Sequence, residues 1–316
     1  MQSMSRDPEK SISGRMCLIR ELKMGIRNDM DKLMVIRRIQ EDGNMNGINW
    51  GDETLRTLDS IRKRKPLIHN LTNFVVMNFT ANVILSIGAS PVMAHAREEV
   101  EEMAGYAGAV VLNIGTLEPA WVHAMILAGK SANSKGIPVI FDPVGVGATR
   151  YRSQAARDIM GAVKIDIIRG NAAEISALAG FEAKIRGVDS LNSVDEASSI
   201  IREASRRLNS VVAMTGVEDL VCDRDRCYAV SGGDAMFTRV TGTGCAASVA
   251  CACFAAVEPD PVNAAIYALA YYGVAGTESA SRSAGPGSFA IHLLDALAGL
   301  DRNTVRTSVL VREVME

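Results

Sequence analysis

Two carboxylates and a glycine-rich turn are the residues best suited to chemistry in this chain. Asp142 ends the apolar run PVIFD (138–142) and is followed at once by Pro143-Val144-Gly145-Val146-Gly147-Ala148. Glu174 follows the next apolar run, in Arg169-Gly170-Asn171-Ala172-Ala173-Glu174. Acids at the ends of neighbouring strands, beside glycine loops, suit a magnesium–phosphate site, because Mg²⁺ takes one or two carboxylates and completes its shell with phosphates and water. Arg169 would meet phosphate there with its planar fork of donors. Each feature also has a plainer reading. An Asp before Pro initiates turns, and Asn171 with Glu174 three residues on has the spacing of a capping box. Thr215-Gly216, after SVVAM, places a hydroxyl and a glycine at another strand end, which is also the composition of an ordinary turn.

The turn is Val240-Thr241-Gly242-Thr243-Gly244-Cys245, ahead of the small-residue run AASVACACFAA. Gly242 and Gly244 let backbone N–H groups converge on an anion at a helix start, where the helix dipole favours negative charge. Cys245 falls in the first helical turn, a position that lowers a thiol below its free pKa of about 8.5. The chain contains neither G-x-x-x-x-G-K-[ST] nor G-x-G-x-x-G, which counts against a P-loop and a Rossmann dehydrogenase. The stretch from His69 to Asn82 carries Asn and Thr among apolar residues, and these need hydrogen bonds if buried. The four histidines lack metal-ligand spacing and take no catalytic role. The cysteines at 17, 222, 227, 245, 251 and 253 form no C-x-x-C pair, so apart from Cys245 they read as reduced thiols packed as small hydrophobes.

The elements that must position these groups alternate. Strand candidates are PLIH (66–69), AVVLNIG (109–115), PVIFD (138–142), KIDIIRG (164–170) and SVVAMTG (210–216), with a short strand in 88–93. Helical candidates lie between them, at 74–87, 119–135, 153–163, 172–179 and 194–208. Strands that are apolar throughout and separated by helices imply a parallel sheet covered on both faces. Ligands of such sheets bind beyond the carboxyl ends of the strands, which is where the acids and the turn lie. DLVCD (219–223) and CYAVSGG (227–233) read as a hairpin at a sheet edge, and helices follow at 243–257, 261–281 and 286–299. The first 51 residues hold seven of the 15 methionines, and 16–40 reads as an amphipathic helix. They form either an appended helix or an untranslated leader, with Met45 as the true start, and 52–316 reads as a single domain.

Composition narrows the function classes. Against 34 Lys and Arg stand 36 Asp and Glu, for a net charge of −2, which argues against a nucleic-acid binder. Apolar residues make up 48%, too many for disorder, yet no run reaches the length of a membrane span. No secretory signal opens the chain, so a cytoplasmic location is expected.

The blocks HNLTNFVVMNFTANVILSIGASPVMAHAREEVEEM, GAVVLNIGTLEP, FDPVGVGATRYR, RGNAAEI and VTGTGC together resemble the hydroxyethylthiazole kinases. The resemblance covers roughly 60–300 of the chain. It implies a three-layer α/β/α ribokinase-like fold with a mostly parallel central sheet. The implied activity is ATP- and Mg²⁺-dependent phosphorylation of the alcohol of 4-methyl-5-(2-hydroxyethyl)thiazole, a step of thiamine biosynthesis. Met93 and Gly242 would contact the thiazole with Asn70 nearby, Arg169 and Thr215 would contact ATP, and Asp142 with Glu174 would hold magnesium-bound phosphates. A homotrimer with pockets between subunits is also implied. The wider superfamily carries its base, an Asp, where this chain and the thiazole kinases carry Cys245. The rivals are another ribokinase-like kinase, an ADP-dependent dehydratase of hydrated nicotinamide nucleotides, and a non-catalytic nucleotide- or thiazole-binding protein.

Overall fold

The computed structural model describes residues 48–181 and 194–315. Residues from Trp50 onward form one compact unit. The amphipathic helix expected within 16–40, and Cys17, lie outside the described residues.

One sheet of nine strands organises the unit: β1 (Leu67–Leu71), β2 (Ser90–Val92), β3 (Ala109–Asn113), β4 (Val139–Asp142), β5 (Ile167–Asn171), β6 (Val211–Thr215), β7 (Asp219–Cys222), β8 (Cys227–Ser231) and β9 (Leu310–Glu313). Their spatial order is β2-β1-β3-β4-β5-β6-β7-β8-β9. The first six pair in parallel and the last three add on antiparallel. The continuous apolar runs have a direct cause. Alternate residues of each strand enter opposite cores, so Ala109 and Val111 of β3 pack on one side while Val110 and Leu112 pack on the other.

The first core is closed by the helices Trp50–Arg64 (α1), Met77–Ile87 (α2), Thr243–Ala255, Pro261–Ser281, Pro286–Gly299 and Arg302–Ser308. The second is closed by Val100–Ala104, Pro119–Ser134, Arg150–Ala162, Ala172–Ala179 and Val194–Leu208. This is the expected three-layer α/β/α arrangement. The helix Thr243–Ala255 is buried along eleven of its residues, and its Ala, Ser and Cys side chains are small enough to let it lie close on the sheet.

Four local expectations are corrected. The hairpin β7–β8 is not at the edge, because β9 pairs with β8 and Arg312 reaches back to Glu218 at 2.9 Å. Four residues of mixed polarity, LVRE, carry no period that would announce this long-range pairing. Residues 50–64, placed across a link and the domain start, form one helix. Helix α2 begins at Met77 rather than Phe74, since the Asn73 side chain accepts the Val75 N–H and turns the chain there. Finally, Cys222 and Cys227, expected as free thiols, face each other beside the turn of the hairpin and are joined as a disulfide.

Candidate active site

The parallel register builds the centre of the site. Asn113 and Asp142 are register partners and the last residues of neighbouring strands. Each stands two residues beyond a first-core residue, Val111 and Ile140, so both side chains share that face. On that face lies the small-residue helix. Its Ser248 hydroxyl donates to Asp142 Oδ2 at 2.8 Å, and Asn113 Nδ2 donates to the same oxygen at 2.7 Å. Asp142 Oδ1 is buried without a hydrogen-bond partner. Burial pushes this carboxyl up to about 6, against the pull of Arg169 and of its two donors.

Cys245, one turn before Ser248, points at the same cluster. Its sulfur receives N–H from Asn113 at 3.2 Å and from Asn73 at 3.6 Å. Here the expectation of an acidic thiol fails. Burial, reinforced by Asp142, pushes Cys245 up to about 12, and the amide donors and Arg169 offset only part of this. A helix start lowers a thiol when the sulfur stays well hydrated, and Cys245 is half-buried beside a carboxylate. Gly242 caps the helix with φ 85°, and a Cβ there would stand 2.7 Å from Val76 Cγ1. Gly244 gives room to Arg169, whose Nη1 would be 2.7 Å from a Cβ at that position.

Arg169 on β5 also donates to the Thr215 hydroxyl at the end of β6, and its Nε is buried without a partner. Glu174 does form the capping box with Asn171, and its other oxygen accepts the Gly145 N–H at 2.8 Å. The capping-box reading of Glu174 therefore stands, and its bond from Gly145 ties the cap to the glycine loop after Asp142. Asn70 is buried, donates to Thr80 Oγ1 at 3.0 Å and leaves its Oδ1 unpartnered. Through Thr80 in α2's first turn and Val76, the residue just before that helix, it is linked to Gly242. Met93 lies beside Asn70, one residue past the β1–β2 register pair His69 and Val92. It follows β2, three strand positions from β4, or about 14 Å across the sheet at the usual spacing.

A family model, the hydroxyethylthiazole kinase family, matches residues 58–303. The chain belongs to this family. A hydroxyethylthiazole kinase from Desulfosudis oleivorans is 50% identical over 273 residues, which is 86% of this chain and the whole of that protein. The structure of hydroxyethylthiazole kinase protein from Pyrococcus horikoshii OT3 superposes with a TM-score of 0.77 at 43% identity, covering 84% of this chain and 100% of that one. A pyridoxal kinase structure from Staphylococcus aureus, at 14% identity and a TM-score of 0.51 over 67% of this chain and 88% of its own, shares the fold alone. The likeness read from the sequence blocks is thus borne out, and the fold is that of the ribokinase-like kinases.

In this member of the hydroxyethylthiazole kinase family, three structuring residues escaped sequence reading. Asn113 and Ser248 hold Asp142. Arg152 donates to the carbonyls of Ile114 at 2.7 Å, Gly115 at 2.7 Å and Val144 at 2.8 Å, stitching the loop after β3 to the loop after β4. Ser248 stands three residues after Cys245, on one helix face, and that spacing was the available signal. Nothing local marked Asn113 or Arg152.

Proposed function

We propose that the chain transfers the terminal phosphoryl group of ATP to the hydroxyl of 4-methyl-5-(2-hydroxyethyl)thiazole. The observation that carries this reading is the convergence of Asp142, Cys245 and Arg169 on one glycine-opened helix start, in a chain of this family. The alcohol oxygen bonds to the γ-phosphorus while the bond from that phosphorus to the β–γ bridging oxygen breaks and ADP leaves. Such transfers pass through a loose transition state, so positioning and fixed dipoles supply most of the acceleration. The N–H groups of the Gly242–Cys245 turn face the moving phosphoryl group, with Gly244 letting Arg169 stand beside it. Arg169 and Thr215 hold the phosphates of ATP. The hydroxyl proton need not leave before the transition state, so Cys245, a neutral thiol, serves as the acceptor that orients the hydroxyl, and the proton passes afterwards to a phosphate oxygen of the products or to water.

The residues fit a divalent cation. Asp142 keeps one oxygen unpartnered and a weakened acidity, because burial outweighs the pull of Arg169 and leaves room for a further positive partner. Glu174 keeps one lone pair on each oxygen beyond its backbone bonds. Mg²⁺ needs only one or two carboxylates when phosphates and water complete its shell. Bound there, Mg²⁺ would neutralise charge on the β- and γ-phosphates.

The thiazole would lie against Gly242 near Asn70. Met93, beside Asn70 at the ends of β2 and β1, would meet the same thiazole, and the assembly we propose is a homotrimer. We place the activity in the cytoplasm and the catalytic unit in 52–316, with 1–51 outside it, since the family match begins at residue 58. The deciding experiment is coupled ADP release by purified protein with hydroxyethylthiazole, run with and without magnesium. Thiazole- and magnesium-dependent release is expected. Calorimetric binding without release would mark a non-catalytic binding protein, and release only with pyridoxal or hydroxymethylpyrimidine would mark another kinase.

A further inference from the structure

The orientation of two buried amides follows from their neighbours. The Gly115 N–H points at Asn113 Oδ1 at 2.9 Å, and a backbone donor requires an oxygen there. The opposite edge of the same amide faces Asp142 at 2.7 Å, and an ionised carboxylate only accepts. Both constraints put the Asn113 nitrogen on the side of Asp142 and Cys245. The same logic orients Asn73: its Oδ1 accepts the Val75 N–H at 3.1 Å, so its nitrogen faces Asn113 Oδ1 at 2.9 Å and the sulfur at 3.6 Å.

An amide nitrogen has two hydrogens. Asn113 uses one on Asp142 Oδ2 and one on Cys245 Sγ at 3.2 Å. The sulfur faces two N–H groups and neither nitrogen can accept its proton, so the S–H bond is directed away from both amides. We propose that Asn113 is a positioning residue that, through this one nitrogen, sets Cys245 as a hydrogen-bond acceptor and turns Asp142 so that its second oxygen stays unpartnered. Asn73 seconds it on the sulfur alone. The proposal rests on the phosphotransfer reading of Asp142 and Cys245. It assigns their joint placement to one side chain at the end of β3.

The decisive variant is Asn113→Asp. It is close to isosteric and keeps an oxygen for Gly115 and Asn73. It offers at most one hydrogen where two acceptors wait. Three measurements follow. Thermal melting within a few degrees of wild type shows that the fold is kept. Steady-state kinetics should show kcat lowered at least tenfold with the thiazole KM changed less than threefold, and the loss should be at least threefold smaller in a Cys245→Ala background. Carbamidomethylation of Cys245 by iodoacetamide, followed by peptide mass spectrometry without ATP or magnesium, should slow at least fivefold, because the thiolate loses a donor and gains an oxygen neighbour. Should Asn113→Asp melt far below wild type, Asn113→Ser, which keeps a single donor, is read by the same kinetics and alkylation. Alkylation within twofold of wild type, or an equal loss of kcat in both backgrounds, overturns the proposal. Slowed alkylation with Cys245→Ala retaining full kcat upholds the placement and sinks the role of the thiol in the reaction instead.

Discussion

Replacing Asp142 by Asn separates what this residue costs the fold from what it does in the site. The carboxyl is fully buried and its pKa is lifted from 3.8 to about 6. At 1.36 kcal/mol per pH unit, that lift corresponds to about 3 kcal/mol. The sign follows from proton counts. Between pH 4 and 6 the folded state holds the proton that the unfolded chain has released, so stability is full below the unfolded value and is lost as pH rises through the folded one. At pH 8 the metal-free wild-type protein therefore carries the whole penalty, and Asp142→Asn does not. Asn keeps an acceptor for Asn113 and Ser248, and its amide nitrogen takes the place of the oxygen that has no partner. Asp219, lifted to about 6 by its own burial, is common to both proteins and cancels in the difference. Denaturant titrations with EDTA should show the variant more stable by about 3 kcal/mol at pH 8, or roughly 6–12 °C in Tm for a domain of this size. The gap should close by pH 4. Adding ATP and magnesium should stabilise the wild type and leave the variant nearly unmoved, while ADP release in the variant is lost. A variant less stable than wild type at pH 8, or a gap that does not change with pH, would refute the account of Asp142 as a buried charge awaiting a cation.

Three further substitutions test the frame around it. Arg152→Ala strips partners from three carbonyls, so a loss of about 2–4 kcal/mol is expected with kcat down at least tenfold. Lys at the same position should restore part of each, and a kcat within twofold of wild type for the Ala variant would remove Arg152 from the argument. Gly242→Ala forces a side chain into φ 85° and against Val76, a cost of about 1–2 kcal/mol from the left-handed backbone alone; it should lower both Tm and turnover, and unaltered kinetics would show that this turn does not shape the anion site. Cys245→Asp should stay active, because a carboxylate can accept the same two amide donors. A dead Asp variant beside a fully active Cys245→Ala would count against any acceptor role at 245.

Much of the architecture was legible in the chain. Strands apolar throughout, such as AVVLN and VIFD, could only lie in a sheet covered on both faces, and the polar residues ending them had to gather at its carboxyl edge. Glycine at 242 and 244, before a run of small residues, was enough to place a helix start there. Tertiary structure decided what those residues became. Asn113 and Asp142 are 29 positions apart, and Ser248 and Asp142 are 106 apart. Only the strand register and the seating of one buried helix bring them within 3 Å. The thiol of Cys245 moved in the direction opposite to that expected from its helical position, because desolvation depends on what surrounds a group in space. A local pattern can name a donor or an acid, but it carries no record of how much water the rest of the chain will take away from it.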